Sequence, residues 1–327
     1  MTGLNSSFVK AGNTRLGRLF SGLWMLVGFI WPIFAVADVV VVLSNDSSSY
    51  REVVEGVKSA WVQSANSVPA FQVVPLSGSV INPELLTGKG VEAIIAVGVQ
   101  AAQAVFAIDV RRPVLVTLIP KSSFDKLHLN KNNSPDISAI FLDQPLERQV
   151  ALFGITLPTR KRLGVVIGPE SQDKLELLQM VAKNQKIQLV TEKIDSADEL
   201  LPAIQRVLSD ADALLALPDP LVFNKNNAQN ILLTSYRYQD PVIGYSQSYV
   251  KAGALYAVYS MPAQIGRQAG ELIQRLLASK SGVLPSPLYP KYFSVSVNTQ
   301  VARSLGIQME NEEALTEKLK HTMEREP

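Results

Sequence analysis

The chain has 327 residues, no cysteine and only two histidines, His128 and His321, far apart in sequence. That excludes disulfides, thiol catalysis and metal sites built on cysteine or closely spaced histidines. Of the 31 basic residues behind its net charge of +2, Lys10, Arg15 and Arg18 lie in the first 37, which hold no acid; the other 28 face 29 acids, and this near-neutral remainder with scattered charge argues against a nucleic-acid surface.

Residues 1–37 run from a basic polar start through an apolar stretch, Leu19 to Phe34, to Ala35-Val36-Ala37 before Asp38. This is the layout of a secretory signal peptide cleaved after Ala37, and it predicts a periplasmic protein. An uncleaved anchor is the alternative, although the apolar run is shorter than the roughly 20 residues of a spanning helix and contains Pro32. Without a cysteine after the cleavage site, a lipid anchor is excluded.

From Asp38 the chain alternates strand and helix. Asp38 to Leu43 is an unbroken β-branched run, the pattern of a strand covered on both faces. It ends in Ser44-Asn45-Asp46-Ser47-Ser48-Ser49, where Ser49 and Glu52 have capping-box spacing. A helix follows with Tyr50, Val53, Val54, Val57 and Trp61 on one stripe. The hydroxyl-rich loop reads either as a plain capped turn or as a place where free N–H groups meet an anion. Strands are predicted over Phe71 to Leu76, Glu92 to Val97 and Pro113 to Leu118, with Gly98-Val99-Gln100 opening a helix after the second of these. Asp136 to Leu142 reads as a short crossing strand.

Gln144-Pro145 opens a helix to about Leu157, and the alternation restarts with a strand from Arg162 to Ile167. Helices over Lys174 to Ala182 and Ala197 to Leu208 flank a strand at Ile187 to Thr191. Leu214 to Leu217 is an apolar strand stopped by Pro218-Asp219-Pro220, and Pro241 to Tyr245 is another, running into Ser246-Gln247-Ser248-Tyr249. Ala254 to Ser260 leads through Pro262 into an amphipathic helix, where Gly266 and Gly270 predict a close approach to the sheet. A final strand, Lys291 to Val297, and a helix from Thr299 precede a charged, solvated helical tail, 310–327.

Successive βα units imply right-handed connections and parallel sheets, hence an α/β chain of two similar Rossmann-like lobes. In such sheets ligands sit beyond the carboxyl ends of the strands. Asp219 reads there as a ligand acceptor or as a helix cap, and Tyr245, Tyr249 and Tyr259 as core or as an apolar slot with polar tips. Ser47, Ser48, Ser49, Gln100 and Gln247 are hydrogen-bonding candidates from the two sides. No Ser/His/acid arrangement, zinc motif or Walker loop is present, and Thr87-Gly88-Lys89-Gly90 lacks the flanks of a P-loop. The expectation is a binding protein and not an enzyme, with no metal and no cofactor.

Several segments carry a family resemblance: Val97-Gly98-Val99-Gln100-Ala101-Ala102-Gln103-Ala104, Leu217-Pro218-Asp219, Tyr249-Val250-Lys251-Ala252-Gly253-Ala254-Leu255, Ile265-Gly266-Arg267-Gln268-Ala269-Gly270 and Val297-Asn298-Thr299-Gln300-Val301-Ala302-Arg303-Ser304-Leu305-Gly306. In order and spacing they resemble the ABC-transporter substrate-binding proteins of type I periplasmic-binding fold, some of which bind aromatic amino acids. The resemblance spans nearly all of 38–309. It implies three inter-lobe crossings, with 38–143 and 262–284 in one lobe and 144–261 and 285–309 in the other. It also implies a hinged cleft, in which Ser47, Ser48, Ser49, Gly98, Gln100, Asp219, Tyr245, Ser246, Gln247, Tyr249 and Tyr259 contact the ligand.

The sequence departs from the family where an acidic Asp-Pro turn is common and Ile119-Pro120-Lys121-Ser122-Ser123 stands. It departs again at Asp136-Ile137-Ser138-Ala139 and at Ser246-Gln247-Ser248, which leaves fewer carboxylates for a ligand ammonium group. The implied role is a monomeric solute receptor delivering a small molecule, an amino acid or a related solute, to an ABC permease. The alternative is a sensory or accessory binding protein that signals to a receptor kinase or another envelope partner.

Overall fold

The structure is a computed structural model describing residues 38–62, 68–78, 80–128, 137–279 and 282–325. The expected signal peptide and Asp136 fall outside these residues. In chain order the first half comprises β1 (Asp38–Leu43), α1 (Ser48–Val62), β2 (Ala70–Pro75), α2 (Glu84–Thr87), β3 (Val91–Val97), α3 (Val99–Phe106), β4 (Val114–Ile119), α4 (Lys121–His128) and β5 (Ile137–Phe141). Then come α5 (Leu146–Thr156), β6 (Arg162–Ile167), α6 (Leu175–Asn184), β7 (Gln188–Lys193), α7 (Leu200–Asp210), β8 (Ala213–Leu215), α8 (Ala228–Arg237), β9 (Val242–Gly244), α9 (Gln247–Ala252) and β10 (Tyr256–Tyr259). The chain closes with α10 (Pro262–Ala278), β11 (Ser294–Val297), α11 (Thr299–Ser304) and α12 (Glu312–Arg325).

Two sheets form, as the alternating pattern requires. The first has order β2-β1-β3-β4-β5 with every pair parallel, and the second has order β11-β10-β9-β8-β6-β7. Only the β10–β11 pair in the second sheet is antiparallel. β1 is buried from Val39 to Leu43 because helices cover both faces of its sheet.

The chain passes between the sheets three times: after β5, after β10, and again before β11. The third passage comes later than the resemblance implies. Leu288 still bridges Ile140 at the edge of the first sheet, donating to Ala139 O and accepting from Phe141 N–H. Residues up to Leu288 therefore stay with the first lobe, because the outer backbone of β5 offers them hydrogen bonds.

Three further expectations are corrected. Asp136 to Leu142 was to cross between lobes, but β5 is the edge strand of the first sheet and the crossing follows it. Gly266 and Gly270 let α10 approach a helix, not its sheet: a Cβ at Gly266 would stand 2.1 Å from Val53 O, and one at Gly270 2.4 Å from Val57 O. Gly56 on α1 answers from the other side, 2.3 Å from Ala263 O. The tail is not solvated either. Leu315 and Leu319, one helical turn apart on α12, are 2% and 0% exposed in the core beneath α5 and β11. Their burial outweighs the charge of the helix's outer face.

Three polar side chains fasten the crossings together. Gln144 donates to Ser260 Oγ (2.8 Å), and Ser260 donates to Tyr292 O (2.6 Å). Arg148 Nη1 donates to Gln144 Oε1 and to Pro290 O, with its guanidinium 4.1 Å from the Phe293 ring. Burial brings the Arg148 pKa down to about 10, against the smaller opposing pull of Glu147.

Candidate functional site: a cleft between two sheets

The described residues enclose two adjoining chambers between the lobes, of about 320 and 700 Å³. Both fall in the ~300–1,000 Å³ range typical of small-molecule sites. Pro120, Ser122 and Asp143 from the first lobe and Lys174, Pro218, Tyr245 and Ser246 from the second line both. All but Lys174 stand just beyond strand ends, where an open α/β sheet leaves room for a ligand, and Lys174 reaches in from the turn before α6.

The first lobe's wall depends on an irregularity in β4. Leu118 has φ of 50°, unusual for a branched side chain, and the β4–β5 register shifts between Thr117 and Ile119. The shift turns the strand end and aims Pro120-Lys121-Ser122 at the cleft, as bulges beside functional sites often do. Asp143 then accepts from Lys121 N–H (2.7 Å), fixing the start of α4, and pairs with Lys174 across the cleft (3.2 Å). Nearer the solvent, Lys126 and Glu170 make a second inter-lobe pair at 2.6 Å.

In the second lobe, Leu217, Pro218, Tyr245 and Tyr259 face the smaller chamber with Leu146, Gln149 and Leu177. Tyr289, at the third crossing, completes it, its phenol pushed up to about 12 by burial and by nearby Asp143. The larger chamber has an aromatic wall: Tyr249 lies 5.5 Å from Tyr245 and edge-on to Phe223 at 6.1 Å. Burial holds the Tyr249 phenol well above its ordinary value.

Of the residues expected to contact a ligand, Asp219, Tyr245, Ser246, Tyr249 and Tyr259 line one chamber or both. Ser47, Ser48, Ser49, Gly98, Gln100 and Gln247 line neither. Ser47, Ser48, Ser49, Gln100 and Gln247 are exposed, and Ser49 lies inside α1 instead of capping it. Gly98 is a packing residue: with φ of 88°, a Cβ there would meet Ser44 Oγ at 2.6 Å. Ser44 itself donates to Val97 O and accepts from Ala101 N–H, both at 2.9 Å, closing the loop on itself.

Asp219 forms the wall but is already engaged. It is 2% exposed, and its carboxylate accepts from Ser171 Oγ (2.8 Å), Glu170 N–H (3.0 Å) and Leu221 N–H (2.9 Å). It ties the loop after β8 to the loop after β6, which is closer to the capping alternative than to ligand contact. Sequence reasoning missed Lys121, Ser122, Asp143, Gln149, Lys174 and Tyr289. The departure at Ile119-Pro120-Lys121 and the break near residue 143 were the available signals. Among the described residues no group of three or more His, Cys, Asp or Glu side chains is placed to hold a metal ion.

The family model for ABC transporter substrate binding proteins matches residues 76–321. The chain belongs to that family. It is a family of ligand-binding transport proteins, not a class of enzymes. No curated protein matches this substrate-binding protein significantly. Among solved structures it is similar to an open, ligand-free substrate-binding protein with adhesive properties from Clostridium difficile. The two share 17% identity, with 85% of this chain and 97% of that one covered and a TM-score of 0.69. A conserved domain protein from Vibrio cholerae is 22% identical, covering 86% of this chain and 97% of that one, with a TM-score of 0.54. An ABC domain from Streptococcus pneumonia in complex with L-Trp is 15% identical, covering 84% and 96%, with a TM-score of 0.54. At these identities the likeness establishes the type I periplasmic-binding fold.

Proposed function

We propose that this substrate-binding protein is exported, captures a small solute between its lobes and delivers it to an ABC permease. The observation that carries the reading is the pair of chambers at the strand ends, walled by both lobes and crossed by the Asp143–Lys174 pair. Family membership supports transport over sensing, and the L-Trp carried by the pneumococcal relative keeps aromatic solutes among the candidates. The three hydrogen-bonded crossings give the lobes a hinge about which to close.

The test is a thermal-shift and calorimetric screen of amino acids, small acids, alcohols and nucleosides. A true ligand raises the melting temperature, because it stabilises only the native state. Ser122→Trp, which fills the passage shared by both chambers, should abolish that shift. Binding that survives Ser122→Trp would place the ligand elsewhere. Delivery is tested by uptake of the identified solute in cells lacking the protein; unchanged uptake would favour the signalling alternative. Mass spectrometry of the exported protein should give a chain beginning at Asp38, and a retained Met1 would mean an anchor.

A further inference from the structure

Taking the cleft as the ligand site, we propose that its smaller chamber selects an uncharged solute with a flat apolar body and one hydrogen-bond donor directed at Gln149, and discriminates against zwitterions and ions. The first ground is that the charges facing the cleft are engaged with one another. Asp143 holds Lys174 and the Lys121 N–H, and the Lys121 ammonium holds Asp125 at 2.5 Å. Asp219 carries three hydrogen bonds from its own lobe. An incoming ammonium or carboxylate must break one of these sets or enter uncompensated, and a buried charge without a partner is strongly disfavoured. The charged residues left over, Asp173 and Lys225, are exposed and already solvated.

The second ground is what remains unspent. Gln149 lines the smaller chamber and is 6% exposed; its Nε2 donates to Gln144 O at 3.4 Å, while its Oε1 is buried with no partner. Native interiors rarely leave such an acceptor unused; this one is sealed from solvent behind the wall, and a donor meets it once the Gln149 amide turns into the chamber. The apolar part of the surrounding wall is mainly leucine and tyrosine side chains, which offer area and aromatic faces to a planar body.

Four indole compounds of one shape separate the charge states: tryptophol (neutral), tryptamine (cation), indole-3-propionate (anion) and L-tryptophan (zwitterion). Calorimetry on the mature protein should show tryptophol binding roughly tenfold or more tighter than each charged compound, the penalty expected for burying an unpaired charge. Gln149→Leu should weaken tryptophol roughly tenfold, the cost of one lost buried hydrogen bond, with a cooperative thermal transition showing that the variant is folded. Tighter binding of any charged member overturns the proposal, as does binding of none of the four or a Gln149→Leu variant with unaltered affinity. The Ser122→Trp control keeps the two readings apart. Tryptophan binding that this variant abolishes would overturn the neutral class and leave the cleft standing; binding it does not touch would overturn the cleft itself.

Discussion

The two lobes are built from the same βα units, yet they divide the work unequally. In the first, β1 and β3 are closed off at their carboxyl ends: Ser44 bonds Val97 and Ala101, and Gly98 packs against Ser44 and Tyr50. Among its described residues, only the end of β4 and the first crossing line the two chambers. In the second, the ends of β8, β9 and β10 all contribute, with Gln149 and Lys174 beside them. Strand ends in a parallel sheet are thus available positions for a site, and the hydrogen bonds of each loop decide which are used.

Two helix glycines, one in each lobe, differ in how they tolerate bulk, and the largest expected effect follows from that. Gly266→Ala would drive a Cβ into Val53 O at 2.1 Å, and neither helix backbone can yield alone. The cost should be about 3 kcal/mol, at the upper end of ordinary overpacking penalties, measured by urea denaturation. Gly154, at mid-helix in α5, is exposed with open space around its Cβ position. Gly154→Ala should stabilise by up to about 1 kcal/mol through helix propensity alone. Equal effects at the two glycines would remove the argument that α1 and α10 are held at glycine distance.

Next in size is Asp219→Ala, expected to cost about 2 kcal/mol by leaving Ser171, Glu170 and Leu221 donors unmet. Chemical denaturation measures the cost. A variant that loses affinity but keeps full stability would return Asp219 to direct ligand contact.

Much of this fold is legible before any coordinates. The β-branched run of β1 and the Val53–Val57–Trp61 stripe follow from burial alone, since their periodicity records which faces meet other elements. The site was less legible because its wall joins Ser122, Asp143, Gln149, Lys174 and Tyr289, which only the crossings bring together. The serine loop misled for a physical reason: a hydroxyl-rich helix start has the same composition whether it binds a ligand or satisfies its own backbone. Leu315 and Leu319 stood at helical spacing within a charged segment, and that spacing was the sign that one face of α12 is buried.

A smaller effect concerns acid stability in the second lobe. Burial tends to raise the Asp212 carboxyl, but hydrogen bonds from the Arg162 side chain and from the Arg162 and Lys161 N–H groups outweigh it, and the net shift is downward. A carboxylate whose folded pKa is depressed adds stability above its unfolded value of about 4, and that stability is lost as pH falls through the lower folded value. Asp212→Asn should therefore flatten the acid limb of the stability curve below about pH 4. Its partly exposed position keeps the neutral-pH loss within about 1 kcal/mol.

The smallest effect separates the two bridges that cross the cleft. The Lys126–Glu170 pair has side chains 64% and 43% exposed, whereas those of Lys174 and Asp143 are 17% and 10% exposed. Water and salt screen the outer pair, so Glu170→Gln should change stability by less than about 0.5 kcal/mol, and ligand affinity should hold within about twofold between low and moderate salt. Lys174→Met leaves Asp143 facing the chamber without its cation, and a largely buried carboxylate left unpaired attracts a positive charge. The variant should then gain affinity for tryptamine relative to tryptophol, read by calorimetry on the two proteins side by side. An unchanged preference would mean that the inner pair does not set the charge of what the cleft admits, and that the two bridges are alike in consequence despite their difference in burial.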